Sequence, residues 1–265
     1  MFKYVKSIPF YIIFFISCEV GEDFVPDNPL DPTNPEYIAP QISITSSPTK
    51  DETINTSQYT FSWEGNRDGM FYRYALDKDW SDWLEEQKTV TIKHMNEGVR
   101  QFSVQSKYTS SDTSSVASVR FTVDAVKGPA LLFYPRLSKA TLDQTLELSL
   151  LAEEVINLSG AEVTLTFDAS ALEIIDVSKG DLFNELGDVI FIEDHSLSGN
   201  VTISTAVWGQ DQPGASGTKS LAKIQVRVKK FGNTVIEISN SSSLRDPNNQ
   251  SITINQFIGG IIESN

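Results

Sequence analysis

The sequence predicts an all-β protein made of two consecutive modules, and two observations favour this fold class. Apolar residues alternate with polar ones through most of the chain, as expected for strands with one buried face. Turn residues such as Gly65-Asn66 and Asn96-Glu97-Gly98 separate these segments, and no stretch has a convincing helical period. A length of 265 residues fits one or two domains.

Composition excludes several classes of function. The chain has 35 acidic and 21 basic residues, a net charge of −14 that favours solubility. Nucleic acid is not an expected partner because no basic patch is present. The single cysteine, Cys18, allows no internal disulfide. Only His94 and His195 could supply imidazole, so we expect no zinc site and no cofactor.

Residues 1–17 have the layout of a bacterial export signal. Lys3 and Lys6 give a positive start, and residues 8–16 form an apolar stretch that ends before a small residue, Ser17. Spanning a bilayer takes about 20 apolar residues, so this stretch is too short. We therefore predict a signal peptide that is removed.

The residues at the end of this segment, Phe15-Ile16-Ser17-Cys18, resemble the lipobox of bacterial lipoproteins. The resemblance implies that diacylglycerol is attached to Cys18, which becomes the new N-terminus. The acidic residues that follow are similar to the surface-export signal of Bacteroidetes-type lipoproteins. The expected location is the outer membrane or cell surface, with a lipid anchor. The alternatives are a secreted protein with a stray cysteine, or an N-terminal membrane anchor.

Residues 18–40 form an acidic, proline-rich linker. Proline lacks a backbone donor and fixes φ, so this stretch should join neither a helix nor a central strand. We interpret it as a semi-extended spacer. The alternative is a proline-rich ligand for a partner domain. The prolines are Pro26, Pro29, Pro32, Pro35 and Pro40.

Residues 41–125 form the first predicted module, with about seven strands that indicate a sandwich. Tyr59, Phe61 and Trp63 are typical of its alternating segments. The runs 61–65, 71–76 and 98–105 resemble the fibronectin type III and immunoglobulin-like modules of bacterial surface proteins. That resemblance implies an Ig/FnIII-like β-sandwich that acts as a spacer or binding support.

Three tryptophans are candidates for stacking against sugar rings. Trp80 and Trp83 flank a loop of the first module, and Trp208 lies in the second. Flat aromatic faces suit such contacts. The alternative for Trp80 and Trp83 is that they cover the edge of the core.

Residues 129–265 form the second predicted module, with about nine alternating segments that favour a jelly-roll sandwich. Within it, residues 157–168 resemble the cohesin strand that ends in an aromatic-Asp pair. Further cohesin-like pieces follow in the family's order at 171–174, 180–182, 217–228, 232–234 and 244–246. The resemblance implies a cohesin-like nine-stranded jelly-roll that binds dockerin modules, commonly carried by polysaccharide-degrading enzymes.

The candidate partner-binding residues are Glu162, Thr164 and Thr166. They should face away from Val163 and Leu165, because side chains alternate along a strand. Glu162 also falls near a position where cohesins often carry an acidic contact residue. The alternative is a plain solvated face.

No motif predicts catalysis. Among 35 acidic residues some carboxylate pair will lie at glycosidase spacing by chance, and neither histidine accompanies a nucleophile motif. Residues 246–249 could bind calcium, but they lack the twelve-residue loop, so a turn is favoured. We predict a non-enzymatic, surface-tethered adaptor; the alternatives are a carbohydrate-binding lipoprotein and a purely structural surface component.

Overall fold

The computed structural model describes residues 27–109, 112–209 and 213–265, and every regular element in these ranges is a β-strand. The all-β prediction is therefore confirmed. The strands form two sandwiches, each closed around its own main hydrophobic core.

The first sandwich contains strands β1 to β9. A three-stranded sheet in the order β1-β3-β7 packs on a six-stranded sheet in the order β2-β9-β8-β4-β5, in which β6 also pairs with β4. The strands are β1 (Ile42–Ser46), β2 (Thr53–Ile54), β3 (Tyr59–Gly65), β4 (Phe71–Leu76), β5 (Asp79–Trp80), β6 (Leu84–Glu85), β7 (Thr89–Ile92), β8 (Gly98–Lys107) and β9 (Ala117–Val123).

Large aromatic rings fill the core of this sandwich. Phe61 and Phe102 stack with ring centroids 4.0 Å apart, and Trp63 and Phe121 pack beside them. All four side chains are buried. The strand alternation that the sequence shows thus points its rings inward. Whether the sandwich is related to the immunoglobulin or fibronectin type III families stays a prediction.

Residues 28–37 fold against the first sandwich through a repeated Asx-Pro-x motif. The side-chain Oδ1 atoms of Asn28, Asp31 and Asn34 each accept a hydrogen bond from the backbone N–H two residues later. Each backbone carbonyl of the three also accepts the N–H three residues later. Three successive turns result, which is the local chemistry that Asn and Asp favour.

Two tyrosines attach this segment to the sandwich. The hydroxyl of Tyr37 donates to Oδ2 of Asp112 at 2.7 Å, which raises the pKa of Tyr37 to about 12. The hydroxyl of Tyr108 donates to the carbonyl of Ile38 at 2.8 Å. The semi-extended spacer predicted for 18–40 is therefore wrong for residues 28–37, because hydrogen bonds shorten this part of the chain into turns. Residues 18–26, with Cys18, lie outside the described residues.

The second sandwich contains strands β10 to β22. Its five-stranded sheet has the order β14-β17-β12-β10-β21. Its larger sheet has the order β11-β22-β18-β13-β16-β15, with β19 paired to β13 and β20 to β19. The strands are β10 (Ala130–Tyr134), β11 (Leu137–Ala140), β12 (Thr145–Leu158), β13 (Gly160–Phe167), β14 (Leu172–Lys179), β15 (Val189–Asp194), β16 (Asn200–Val207), β17 (Ala215–Val228), β18 (Gly232–Ile238), β19 (Ser243–Arg245), β20 (Ser251–Ile252), β21 (Gln256–Ile258) and β22 (Gly260–Ser264).

This sandwich has the cohesin-like jelly-roll architecture that the sequence predicts, with more strands than the nine expected. Strand β10 was missed because residues 130–133 are all apolar and all buried, so no alternation marks the strand. Strands β11, β19, β21 and β22 have at most five residues each, too few to show a period. Aliphatic side chains dominate the core, for example Leu150, Val163, Leu165 and Ile224.

A buried ion pair joins the two sandwiches. Nη1 of Arg136 lies 3.4 Å from Oε1 of Glu97, and both side chains are mostly buried. Oε2 of Glu97 accepts the backbone N–H of Ala125, and Oδ1 of Asn96 accepts that of Arg136 at 2.7 Å. Burial raises the pKa of Glu97 and lowers that of Arg136. The connection between the sandwiches is thus fixed by backbone and side-chain contacts.

Candidate functional site

The candidate site is the outer face of β13, β15, β16 and β19, named here the docking face. Along β13 the side chains of Val163 and Leu165 are buried in the core. Glu162, Thr164 and Thr166 therefore point to the opposite side, where Glu162 is exposed and the two threonines are half-buried. This is the placement that the alternation predicts.

Pairing registers align side chains of four strands across the docking face. Strand β13 pairs with β16 on one side and with β19 on the other, and β15 follows β16. Residues in register lie about 5 Å apart from strand to strand. Two adjacent rows result, Ser243-Glu162-Ser204-Ile192 and Arg245-Gly160-Ala206-Ile190.

The second of these rows forms a shallow groove of about 590 Å³. Gly160 and Ala206 make its floor, while Ile190 stands on one side and Arg245 on the other. A Cβ atom at Gly160 would lie 3.6 Å from the Cβ of Ala206, which is an ordinary contact. The floor is low because Gly160 has no side chain, and the backbone leaves space for one. A partner's side chain could enter this space.

Two exposed isoleucines line one edge of the docking face. Ile190 is 38% exposed and Ile192 is 59% exposed, on β15 at the end of its sheet. The backbone N–H of Trp208 donates to Asp188 just before β15, and the indole is exposed too. Grouped apolar side chains at a surface commonly mark an interaction site.

Sequence reasoning missed Ile190, Ile192 and Arg245 as site residues. In β15 four successive apolar residues, 189–192, give no alternation, so the sequence cannot show which of them face outward. Arg245 reaches the site only through the long-range pairing of β19 with β13.

Acidic groups dominate the charges around the docking face. Glu162 and Asp194 lie on it directly, while Glu193 is 3.3 Å from Nε2 of His195. The guanidinium of Arg245 donates to the hydroxyl of Ser251 at 2.6 Å, which holds it toward β20, beside the groove. A basic partner surface would complement this arrangement.

Trp80 and Trp83 enclose a cation. The guanidinium carbon of Arg73 lies 4.7 Å from each of the two ring centroids, and the amine of Lys107 lies 4.7 Å from Trp83. Nε and Nη2 of Arg73 both donate to Oε1 of Gln105, at 3.0 and 2.7 Å. The ring faces that Arg73 covers are not available for a sugar, and the rings clamp a cation rather than cover the core edge.

The other predicted sites are Cys18, the two histidines and residues 246–249. Cys18 lies outside the described residues. His94 is exposed, and residues 246–249 form a turn in which Oδ1 of Asp246 accepts the N–H groups of Asn248 and Gln250. Within the described ranges no group of His, Cys, Asp and Glu side chains is arranged for a metal ion. None of the described residues belongs to a helix able to cross a bilayer.

The second sandwich matches the model of a known family over part of the chain. Residues 136–262 match the family model for the Cohesin domain. The jelly-roll of the second sandwich is therefore cohesin-like in fold. A comparison with curated protein sequences gave no significant match.

Several solved cohesins are similar to about half of this chain. The sixth cohesin of Acetivibrio cellulolyticus scaffoldin B, solved with a Cel5 dockerin mutant, is 15% identical over 52% of this chain and 100% of its own, with a TM-score of 0.46. A non-cellulosomal cohesin from the archaeon Archaeoglobus fulgidus is 16% identical over 51% of this chain and 90% of its own, with a TM-score of 0.43. CaCohA2 from Clostridium acetobutylicum is 17% identical over 48% of this chain and 86% of its own, with a TM-score of 0.42.

Proposed function

We propose that this protein is a non-enzymatic adaptor of the bacterial cell surface. Its cohesin-like domain binds a dockerin-type module, carried by a partner that takes part in polysaccharide degradation. The groove between Ile190 and Arg245 on the docking face is the observation that carries this proposal. It combines an apolar wall, a low floor and an acidic surround, which suits a protein surface with apolar and basic side chains.

The proposed anchor is a lipid on Cys18. It rests on the export-signal layout of residues 1–17 and on the position of the single cysteine. An acidic chain gains little attraction from anionic lipid headgroups, so acyl chains would provide the attachment. Radiolabelled palmitate should enter the native protein and be absent from a Cys18→Ser variant. Equal labelling of both would exclude the anchor.

Filling the groove tests the docking proposal. Gly160→Trp places a large side chain on the floor, whereas Gly160→Ala adds only a methyl group that the backbone accommodates. The full chain is titrated by calorimetry against purified dockerins from the same genome. We expect Gly160→Trp to weaken binding about tenfold or more, and Gly160→Ala to change it by less than about threefold.

Two outcomes would contradict the docking proposal. One is the absence of binding to every dockerin tested. The other is equal binding by the wild type and Gly160→Trp, which would move the contact to another surface. Thermal unfolding of both variants serves as the control for folding.

Direct glycan binding is the second candidate function, and the exposed indole of Trp208 favours it. Trp80 and Trp83 contribute less because Arg73 covers one face of each ring. A glycan array with the full chain and Trp208→Ala separates the two functions. Glycan binding that survives Trp208→Ala would exclude this residue as the platform.

A further inference from the structure

A second cavity lies between the two sandwiches, away from the docking face. Its volume is about 520 Å³, within the range of ligand sites, and such sites occur preferentially between domains. Seven successive residues of the first sandwich, 90–96, border it on one side. Leu137, Lys139 and Glu263 of the second sandwich border it on the other. This space is named here the cleft.

The cleft exposes the free edge of a β-strand. Strand β7 is the outer strand of its sheet, and within the described residues it pairs only with β3. The N–H of Trp63 donates to the carbonyl of Lys88 at 3.0 Å, which makes these two residues a hydrogen-bonded pair. Such pairs occur at every second residue of an antiparallel ladder, so Val90 and Ile92 also hydrogen-bond to β3. The backbone of Thr91 therefore points away from β3. Unpaired N–H and C=O groups at a strand edge are a template for another strand.

The floor of the cleft is aliphatic. Leu76, Ile92 and Leu137 are half-buried around it. Its aromatic residue, Tyr74, packs its ring on Trp63 and Phe102, with centroids 5.8 and 6.4 Å apart. Tyr74 is therefore half-buried against the aromatic core, so it is not an exposed platform for a sugar ring. Val90 and Ile92 also line the cleft and lie two residues apart on β7, which is the spacing of alternate side chains in an extended peptide.

The charges around the cleft balance, unlike those of the whole chain. Three cationic and three anionic side chains line it, on a protein with a net charge of −14. Neither a strongly acidic nor a strongly basic ligand is favoured by such a set. A segment of low net charge fits best. The lining charges are Lys93, Arg100, Lys139, Asp77, Asp79 and Glu263.

The ion pair at the junction holds the cleft walls in place. Asn96 and Arg100 both line the cleft. Asn96 bonds to the backbone of Arg136, and Nη2 of Arg100 donates to the carbonyl of Glu97 at 2.6 Å. Walls fixed before binding reduce the entropy that a ligand must offset.

From these observations we propose that the cleft is a peptide-binding site. It takes an extended segment of a partner protein, of low net charge and alternating apolar and polar side chains, which adds to β7 as an outer strand. This site is separate from the docking face, so one chain would bind two protein partners. Failure of dockerin binding would leave the proposal for the cleft intact.

Synthetic peptides provide the test. In an array of nine-residue peptides, valine or isoleucine alternates with polar residues, and each peptide has one lysine and one glutamate. The peptides that bind are then titrated against the full chain by calorimetry. N-methylation of alternate peptide nitrogens removes the donors that would face β7. We expect it to weaken binding about tenfold or more.

Matched variants locate the binding site. Thr91→Pro removes the N–H at the free edge, while Thr91→Ala keeps it and loses only the hydroxyl contact with Thr60. Binding should fall about tenfold in the proline variant and stay within about threefold in the alanine variant. Leu137→Asp should weaken binding from the opposite wall without altering β7, which keeps the test valid if Thr91→Pro is unstable.

Three results would overturn the proposal. They are the absence of binding by any peptide up to about 1 mM, equal binding by N-methylated peptides, and binding that ignores both Thr91→Pro and Leu137→Asp. Xylan or cellulose oligosaccharides are run in parallel. Saccharide binding that is lost in Leu137→Asp, with no peptide binding, would show that the cleft takes a sugar instead.

Discussion

The two sandwiches bury cores of different chemistry. In the first, a few large aromatic side chains touch one another, with Phe102 in contact with Phe61, Trp63 and Tyr74. In the second, leucine, valine, isoleucine and alanine form nearly the whole core, and Phe133 and Phe183 are its buried aromatic residues. The first core thus depends on a few large contacts, whereas the second distributes its burial over many small ones.

The difference bears on how each sandwich can serve binding. An aromatic core stabilises a small module with few residues, because each ring buries a large apolar area for only two side-chain torsions that must be ordered. A wide aliphatic core supports a broad, flat sheet face on which side chains can vary without disturbing the interior. The docking face lies on that second kind of sheet.

Removing one aromatic ring from the first core should have the largest effect on stability of the changes that compare the two cores. Phe102→Ala should lower the free energy of unfolding by about 4–5 kcal/mol, because a cavity forms and the stack with Phe61 is lost. Leu165→Ala in the aliphatic core should cost about 3 kcal/mol. Urea unfolding, monitored in each sandwich by hydrogen exchange, measures both losses of unfolding free energy. Equal losses would mean that the two cores resist truncation alike.

Breaking the buried ion pair tests how strongly the sandwiches are coupled. Glu97→Ala leaves the guanidinium of Arg136 buried without its partner, so we expect a loss of about 3 kcal/mol. Calorimetry of Glu97→Ala should then show two unfolding transitions that lie farther apart in temperature than those of the wild type. The paired replacement Glu97→Leu with Arg136→Met should recover most of the loss, since no charge stays buried. If it recovers none, the loss comes from the hydrogen bond that Glu97 accepts from the backbone N–H of Ala125 rather than from the ion pair.

The smallest expected effect concerns a buried carboxyl of the second sandwich. Burial raises the pKa of Glu153, and its Oε2 has no hydrogen-bond partner among the residues that the structure describes. With the folded pKa above the unfolded value, this group stabilises the protonated protein at low pH and loses that contribution as pH rises through the folded pKa.

Glu153→Gln should therefore raise the free energy of unfolding by about 0.5–1 kcal/mol at pH 7 and change it little below about pH 4. Urea unfolding at the two pH values measures the difference. Glu147→Gln, an exposed residue of the same strand, is the matched control. A gain that is the same at both pH values would assign the effect to packing rather than to charge.

The sequence predicted those parts of the fold in which one face of a strand is buried. Tyr59, Phe61 and Trp63 in β3 alternate with polar residues, and so do Val163 and Leu165 in β13. Strand β10 was invisible because both of its faces are buried. The sequence contains a local signal for the turns of residues 28–37, because each turn begins with Asn or Asp before proline. The high proline content favoured an extended spacer instead, and that prediction was wrong for these residues.

The candidate site could be predicted only in part. Glu162, Thr164 and Thr166 followed from alternation within one strand. The groove depends on which strands become neighbours, since Arg245 and Ile190 come from segments far apart in the chain. The cation between Trp80 and Trp83 likewise depends on Arg73 in the adjacent strand β4, which local patterns do not show.

For a chain anchored by the proposed lipid on Cys18, the Asx-Pro turns limit how far the two sandwiches can move from the membrane. An extended chain covers at most about 3.6 Å per residue, so residues 18–40 would allow a radius of about 80 Å if all were extended. With the chain folded from residue 28 onward, the tether leaves a radius of about 36 Å. The accessible volume then shrinks more than tenfold, and the local concentration of both binding surfaces near the membrane rises in proportion. Partners confined to the same surface layer would be captured in preference to those diffusing beyond it.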